Sequence, residues 1–157
     1  MIIVNASSQY LRDNVIRAGG RELQMAYNAE CKNNPHSILI STPSGALPSK
    51  RIFFIDWQPH QDHAKLRRSL VDLMQNVIQN VMGHKFTSLA FPAIGCGKYT
   101  CSVDIVVKTL VIEMKNQLLT RDIQLVVKFV IESDQQIIYD EFCKEVLATQ
   151  DGMIVLS

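Results

Sequence analysis

The chain has 157 residues, 47% of them hydrophobic and 20% charged, with a formal net charge of +1. That length holds one domain with enough core to fold unaided, and the balance excludes the disordered and fibrous classes. The near-zero charge excludes a molecule-wide polyanion footprint, and no apolar run approaches the roughly 18 residues of a membrane span.

Ile2-Ile3-Val4 reads as a buried strand, left through the polar turn Asn5-Ala6-Ser7-Ser8, whose side chains suit hydrogen bonding and helix capping. The start is too short and uncharged for a signal peptide. Residues 10–30 carry a helical pattern that Gly19-Gly20 should split or bend. A strand is expected at 36–41, a Pro/Gly/Ser-rich hairpin loop at 42–49 and a second strand at 51–56. Between His63 and Gly83, Leu66, Leu70, Leu73, Val77, Ile78 and Val81 form one apolar stripe at helical spacing. Val103, Val106, Val107, Leu110, Val111 and Met114 do the same, with Ser102 placed to cap the start. A β-branched strand at 123–131, a closing helix at 135–147 with Ile138, Phe142 and Val146 on one face, and a last strand at 152–156 complete the pattern. Strands alternating with helices predict one α/β domain over residues 1–157, with helices on both faces of the sheet.

Between the second and third helical patterns lies the stretch Ser88-Leu89-Ala90-Phe91-Pro92-Ala93-Ile94-Gly95-Cys96-Gly97-Lys98-Tyr99. A short apolar run breaks into a Pro/Gly turn that leads into a helix. Glycines at 95 and 97 let the backbone turn tightly and bring N–H groups near a ligand with no Cβ in the way. Strand, Gly-rich turn and helix start together suit phosphate. The plainer reading is a βα turn whose glycines serve backbone geometry alone. In such sheets ligands sit at the carboxyl ends of strands, so the Asn5 turn and the 95–99 turn are expected at one crevice.

Other candidates have weaker patterns. His60 and His63 lack a third ligand at metal-binding spacing, so no metal is expected. Cys96 at a helix start would have its pKa lowered if reactive, and serves as a small space-filler otherwise. Lys98, Arg12, Arg17 and Arg21 would place positive charge around the crevice, whereas Lys65, Arg67 and Arg68 read as a solvated helix face. Trp57 would either lie over a ligand or anchor its loop. Cysteines 31, 96, 101 and 143 show no C-x-x-C spacing, as expected of reduced thiols in a nuclear or cytoplasmic protein.

Val4-Asn5-Ala6-Ser7-Ser8 together with Phe91-Pro92-Ala93-Ile94-Gly95-Cys96-Gly97 resembles the macro domain family, the ADP-ribose-binding modules. The resemblance extends to Arg17-Ala18-Gly19-Gly20-Arg21-Glu22-Leu23, to Leu47-Pro48-Ser49-Lys50 and to Tyr139-Asp140-Glu141-Phe142, and looks closest to macro modules of poly-ADP-ribose polymerase-type proteins. It implies a three-layer α-β-α sandwich with a mixed, mostly parallel central sheet. Its implied ligand-binding residues are Asn5 and Ser8 with Ala93, Ile94, Gly95, Cys96, Gly97, Lys98 and Tyr99. The amides of 95–98 would face the diphosphate, Tyr99 would lie beside the distal ribose, and Asn5 would hydrogen-bond that ribose.

Three departures stand against that pattern. Ser8 stands where the family has a second asparagine. Leu11-Arg12-Asp13-Asn14-Val15 runs straight into a helix, with no counterpart of the family's Gly-Gly-Gly-Val stretch. The chain also begins inside an early strand, without the Gly-Asp-Ile segment whose aspartate binds the adenine amine. Such a start is expected of a fragment of a longer chain, and either residues 152–157 or another chain is expected to pair along the sheet edge it leaves.

The implied function is a non-catalytic reader of ADP-ribose, ADP-ribosylated protein or poly-ADP-ribose, needing no cofactor and involving neither membrane nor nucleic acid. The alternatives are a degenerate macro fold serving protein interaction, and an ADP-ribosyl hydrolase in which Asp13 is the nearest carboxylate.

Overall fold

The computed structural model describes residues 1–5, 8–97, 101–149 and 154–156. Two compact units are formed, Met1–Gln58 and Pro59–Ser157.

In the first unit, β1 (Ile2–Asn5) runs parallel to β3 (Arg51–Ile55), and β2 (Leu39–Pro43) runs antiparallel to it. Ile52, Phe53, Phe54 and Ile55 are all buried, as a strand covered on both faces must be. Helix α1 (Gln9–Asn33) lies against the strands through Ile16 and Leu23. These residues join Val4, Ile52 and Phe54 in one cluster, where the Tyr27 ring sits 4.6 Å from Phe54. The expected interruption of α1 falls at Gly20, whose φ of 77° and ψ of −166° lie far from helical values. Next to it, the Gly19 carbonyl accepts from the Ala46 amide at 3.0 Å, which ties the β2–β3 loop to the helix. Strand β2 starts three residues later than the pattern predicts. The Ser37 amide closes a turn onto the Asn34 carbonyl, and the Ser37 hydroxyl donates to the Leu39 carbonyl.

In the second unit, α2 (His63–Met82) packs on α3 (Val103–Thr120), which packs on α4 (Gln136–Thr149). Asp62 caps α2, its carboxylate accepting from the Lys65 amide at 2.8 Å, as an N-cap acid does. Strands β4 (Ser88–Pro92), β5 (Val126–Val130) and β6 (Ile154–Leu156) run parallel, with Phe91 opposite Phe129 and Phe129 opposite Leu156. Phe129 is the centre of this core, 5.9 Å from Phe91 and 4.8 Å from Phe142 between ring centres. The final strand, described over Ile154–Leu156, pairs with β5. Val146, expected on the buried face of α4, is half-exposed, and only Ile138 and Phe142 of that helix are buried.

Strand β5 is shorter than the β-branched run predicts, for a reason at its start. Asp122 has a φ of 50°, and the Ile123 amide reaches back to the Leu118 carbonyl at 3.0 Å. That bond and left-handed residue close α3 in the manner usually given to glycine, so Ile123 belongs to a helix cap and not to the strand. Among the described residues, no helix is long and apolar enough to cross a membrane.

Candidate functional site

The Gly-rich turn is built by strand β4. Leu89 and Phe91 are buried on one face of β4, which fixes the direction in which Pro92 leaves it. The Ile94 amide then donates to the Pro92 carbonyl at 2.8 Å, and the Cys96 amide to the Ala93 carbonyl at 3.2 Å. Between these bonds Gly95 takes a φ of 78°, a conformation that costs any residue with a Cβ. Ile94 and Cys96 point into the core, 3% and 6% exposed. Gly97 is exposed, and a Cβ added to it would meet nothing within 4 Å. The turn thus buries two side chains, commits the Ile94 and Cys96 amides to itself and carries glycines at its remaining corners. Lys98 and Tyr99 lie outside the described residues.

Cys96 settles into the role of a space-filler. Burial, with a smaller contribution from Cys101, pushes its thiol up to about 12, because burial penalises the charged form. The thiolate is therefore absent at neutral pH, and with α3 beginning only at Val103, Cys96 does not stand at the helix start that the sequence pattern suggested. Iodoacetamide at pH 8 is expected to leave Cys96 unmodified in the folded protein and to label it in urea, which mass spectrometry of the peptide would read. Labelling at equal rates in both states would contradict the burial.

Ser102 occupies the N-cap of α3 but makes no capping bond with its side chain. Its hydroxyl instead donates to the Asp104 carboxylate at 2.7 Å, which holds that carboxyl below its ordinary range. The hydroxyl thus acts as a donor to a charged acceptor, and the first-turn acid itself complements the helix dipole.

In the first unit, Asn5 ends β1 opposite Ile55. Ser8 is the N-cap of α1, half-buried and without a side-chain capping bond, and its carbonyl accepts from the Arg12 amide at 2.9 Å. Asp13 is exposed, with Oδ1 3.1 Å from the Arg12 Nε, so one of its oxygens is already engaged. Arg12, Arg17 and Arg21 line a groove of α1 together with Gln24 and Asn28, and the described lining of that groove includes neither Asn5 nor the 94–97 turn around which the sequence pattern expected them. The sequence pattern flagged the arginines; the groove itself follows from the Gly20 break. Trp57 is 6% exposed and anchors the segment after β3, so it does not lie open to a ligand. Arg67 and Arg68 are exposed on α2, as a solvated face requires.

The macro domain family model matches residues 10–110. No curated protein matches the sequence. Among solved structures, a variant of the Oceanobacillus iheyensis macrodomain has 22% identity and a TM-score of 0.77, covering 94% of this chain and 85% of that one. The same macrodomain with ADP gives 23% and 0.74 over 94% and 85%. The macro domain of ganglioside induced differentiation associated protein 2 gives 14% and 0.76, over 92% and 76%. A Trypanosoma brucei macrodomain in complex with ADP-ribose is more distant, at 14% and 0.58 over 68% and 44%. The likeness shows the fold, a three-layer α/β arrangement with a mixed, mostly parallel sheet. With 10–110 matched by the family model, the chain belongs to the macro domain family.

Proposed function

We propose that this chain is an ADP-ribose-binding module, a non-catalytic reader that takes the ligand's diphosphate at the turn after β4. The observation that carries the reading is Gly95 at a φ of 78° in a turn followed by the uncovered Gly97, in a macro domain. Buried Ile94 and Cys96 hold that turn from below, and the amides of Gly95 and Gly97 donate to no backbone carbonyl among the described residues, which suits them to meet phosphate oxygens. Asn5 and Ser8, with Lys98 and Tyr99, are the further contacts that the family resemblance implies. The reader reading is preferred to the hydrolase because Asp13 is engaged by Arg12. The ligand is met as free ADP-ribose or as ADP-ribose on protein, and the four free thiols fit the nucleus or cytoplasm.

Isothermal titration with ADP-ribose, with AMP as control, tests the proposal. Heat giving a micromolar dissociation constant for ADP-ribose and a much weaker one for AMP is the expected result. A folded sample that gives no heat at millimolar ligand would overturn it in favour of a protein-interaction module. Release of ADP-ribose from modified protein by the wild-type chain would overturn the non-catalytic part.

A further inference from the structure

We propose that the groove along α1 is a second anion site, which takes a diphosphate of an ADP-ribose polymer. The groove has a volume of about 690 Å³ and lies wholly within the first unit. Its walls come from both sides of the Gly20 break, Arg12, Asp13 and Arg17 from one and Arg21, Gln24 and Asn28 from the other. A straight helix would distribute these residues along a convex surface; the bend folds them around a hollow. At the bend itself a Cβ on Gly20 would meet nothing within 4 Å, so the floor of the elbow is bare backbone open to a ligand.

The arginines differ in what they already do. Arg12 donates from Nε to Asp13 at 3.1 Å and is occupied. Arg17 and Arg21 are exposed and enter no hydrogen bond or ion pair among the described residues. Two free guanidinium groups at one hollow bring a net positive charge that the protein leaves uncompensated. Guanidinium is the side chain best shaped for bidentate contact with phosphate oxygens. The Gln24 amide donates to the Asn28 side-chain carbonyl at 3.0 Å and leaves further amide groups at the groove edge, a chemistry suited to ribose hydroxyls. Two unpaired positive groups, flanked by neutral hydrogen-bonding amides, match the repeat of an ADP-ribose chain, in which each diphosphate is bordered by sugars. The aromatic in the described lining of the groove, Tyr27, is half-buried with its ring tilted against Phe54, a poor platform for successive unstacked bases. That disfavours single-stranded RNA. The choice of this polymer over other polyanions rests on the reading of the chain as an ADP-ribose module.

The test uses the full chain, wild type and Arg17→Gln/Arg21→Gln, with fluorescently labelled ADP-ribose polymer, monomeric ADP-ribose and single-stranded RNA of the same charge. Expected is at least a tenfold loss of polymer affinity in the double variant, with monomer affinity unchanged. The logarithmic salt slope should fall by roughly 1.4, from two lost phosphate contacts at about 0.7 each. An Arg17→Lys/Arg21→Lys variant keeps the charge and is expected to restore the slope but only part of the affinity. Polymer affinity equal in wild type and double variant overturns the proposal, and so does RNA bound as tightly as polymer. Failure of the reader reading looks different. Monomer would then not bind the wild type, while an Arg17- and Arg21-dependent polymer affinity would still support the groove.

Discussion

Gly45→Ala is expected to cost the chain about 3 kcal/mol or more of stability, with a fall in Tm of roughly 6–12 °C. Two costs add at this position. Gly45 has a φ of 60°, where an L side chain is strained, and an ideal Cβ would stand 2.1 Å from the Gly19 carbonyl oxygen and 3.0 Å from its carbon. The obstacle is backbone, and it is the same carbonyl that accepts from Ala46. Relief therefore requires the β2–β3 loop to leave α1, with loss of that bond and of Leu47 from the apolar cluster. Differential scanning calorimetry reads the change. Gly83→Ala is the control, since its Cβ would find only the Asn80 carbonyl oxygen at 3.5 Å, an ordinary contact. Equal melting of the two variants would show that the close approach at Gly19 does not hold the loop.

The second large effect is on the ligand and not on the fold. Gly95→Val is expected to weaken ADP-ribose binding about a hundredfold, as roughly 3 kcal/mol corresponds to two lost hydrogen bonds to a charged group. Gly95 has a φ of 78°. Valine there is a genuine outlier, so the turn would relax toward negative φ. That relaxation swings the peptide between Gly95 and Cys96 and carries the Gly97 amide out of register with the diphosphate. Thermal stability should fall by only a few degrees, because the strained residue is in a loop and Ile94 still anchors it. Titration calorimetry on the variant reads the affinity. An unchanged dissociation constant would remove the turn from the site. Gly97→Ala provides a finer probe, since it has open space for a Cβ and should leave the fold intact while crowding the phosphate.

Much of this architecture was legible from spacing. The stripes of α2 and α3 appear with all their named positions buried except Val103, because long apolar periodicity reports a helix face directly. The Gly19-Gly20 interruption was equally plain, since nothing else explains two glycines inside a helical pattern. Strand starts were less legible. The start of β5 was hidden because Asp122, not glycine, takes the left-handed position that ends α3. The start of β2 was hidden because Ser37 closes a turn inside a stretch that reads as a strand. The Gly-rich turn was found in the sequence, but the division of labour within it was not. Which amides the turn consumes depends on hydrogen bonds at Pro92 and Ala93 that no residue type announces. The α1 groove was half legible. Arginine identities are written in the chain, while their convergence depends on how the helix bends.

The alternation along β5 has a consequence for handling the protein. Val127 and Phe129 are buried, while Val126 and Val130 are 39% and 45% exposed with Lys128 between them. The segment Val-Val-Lys-Phe-Val carries the β-branched and aromatic content that favours self-association, interrupted by a single charge. Lys128 acts as a gatekeeper, placing a solvated ammonium where a neighbouring molecule would otherwise stack. Colloidal stability should consequently depend on salt more steeply than a net charge of +1 implies, since a single screened cation interrupts this apolar strip.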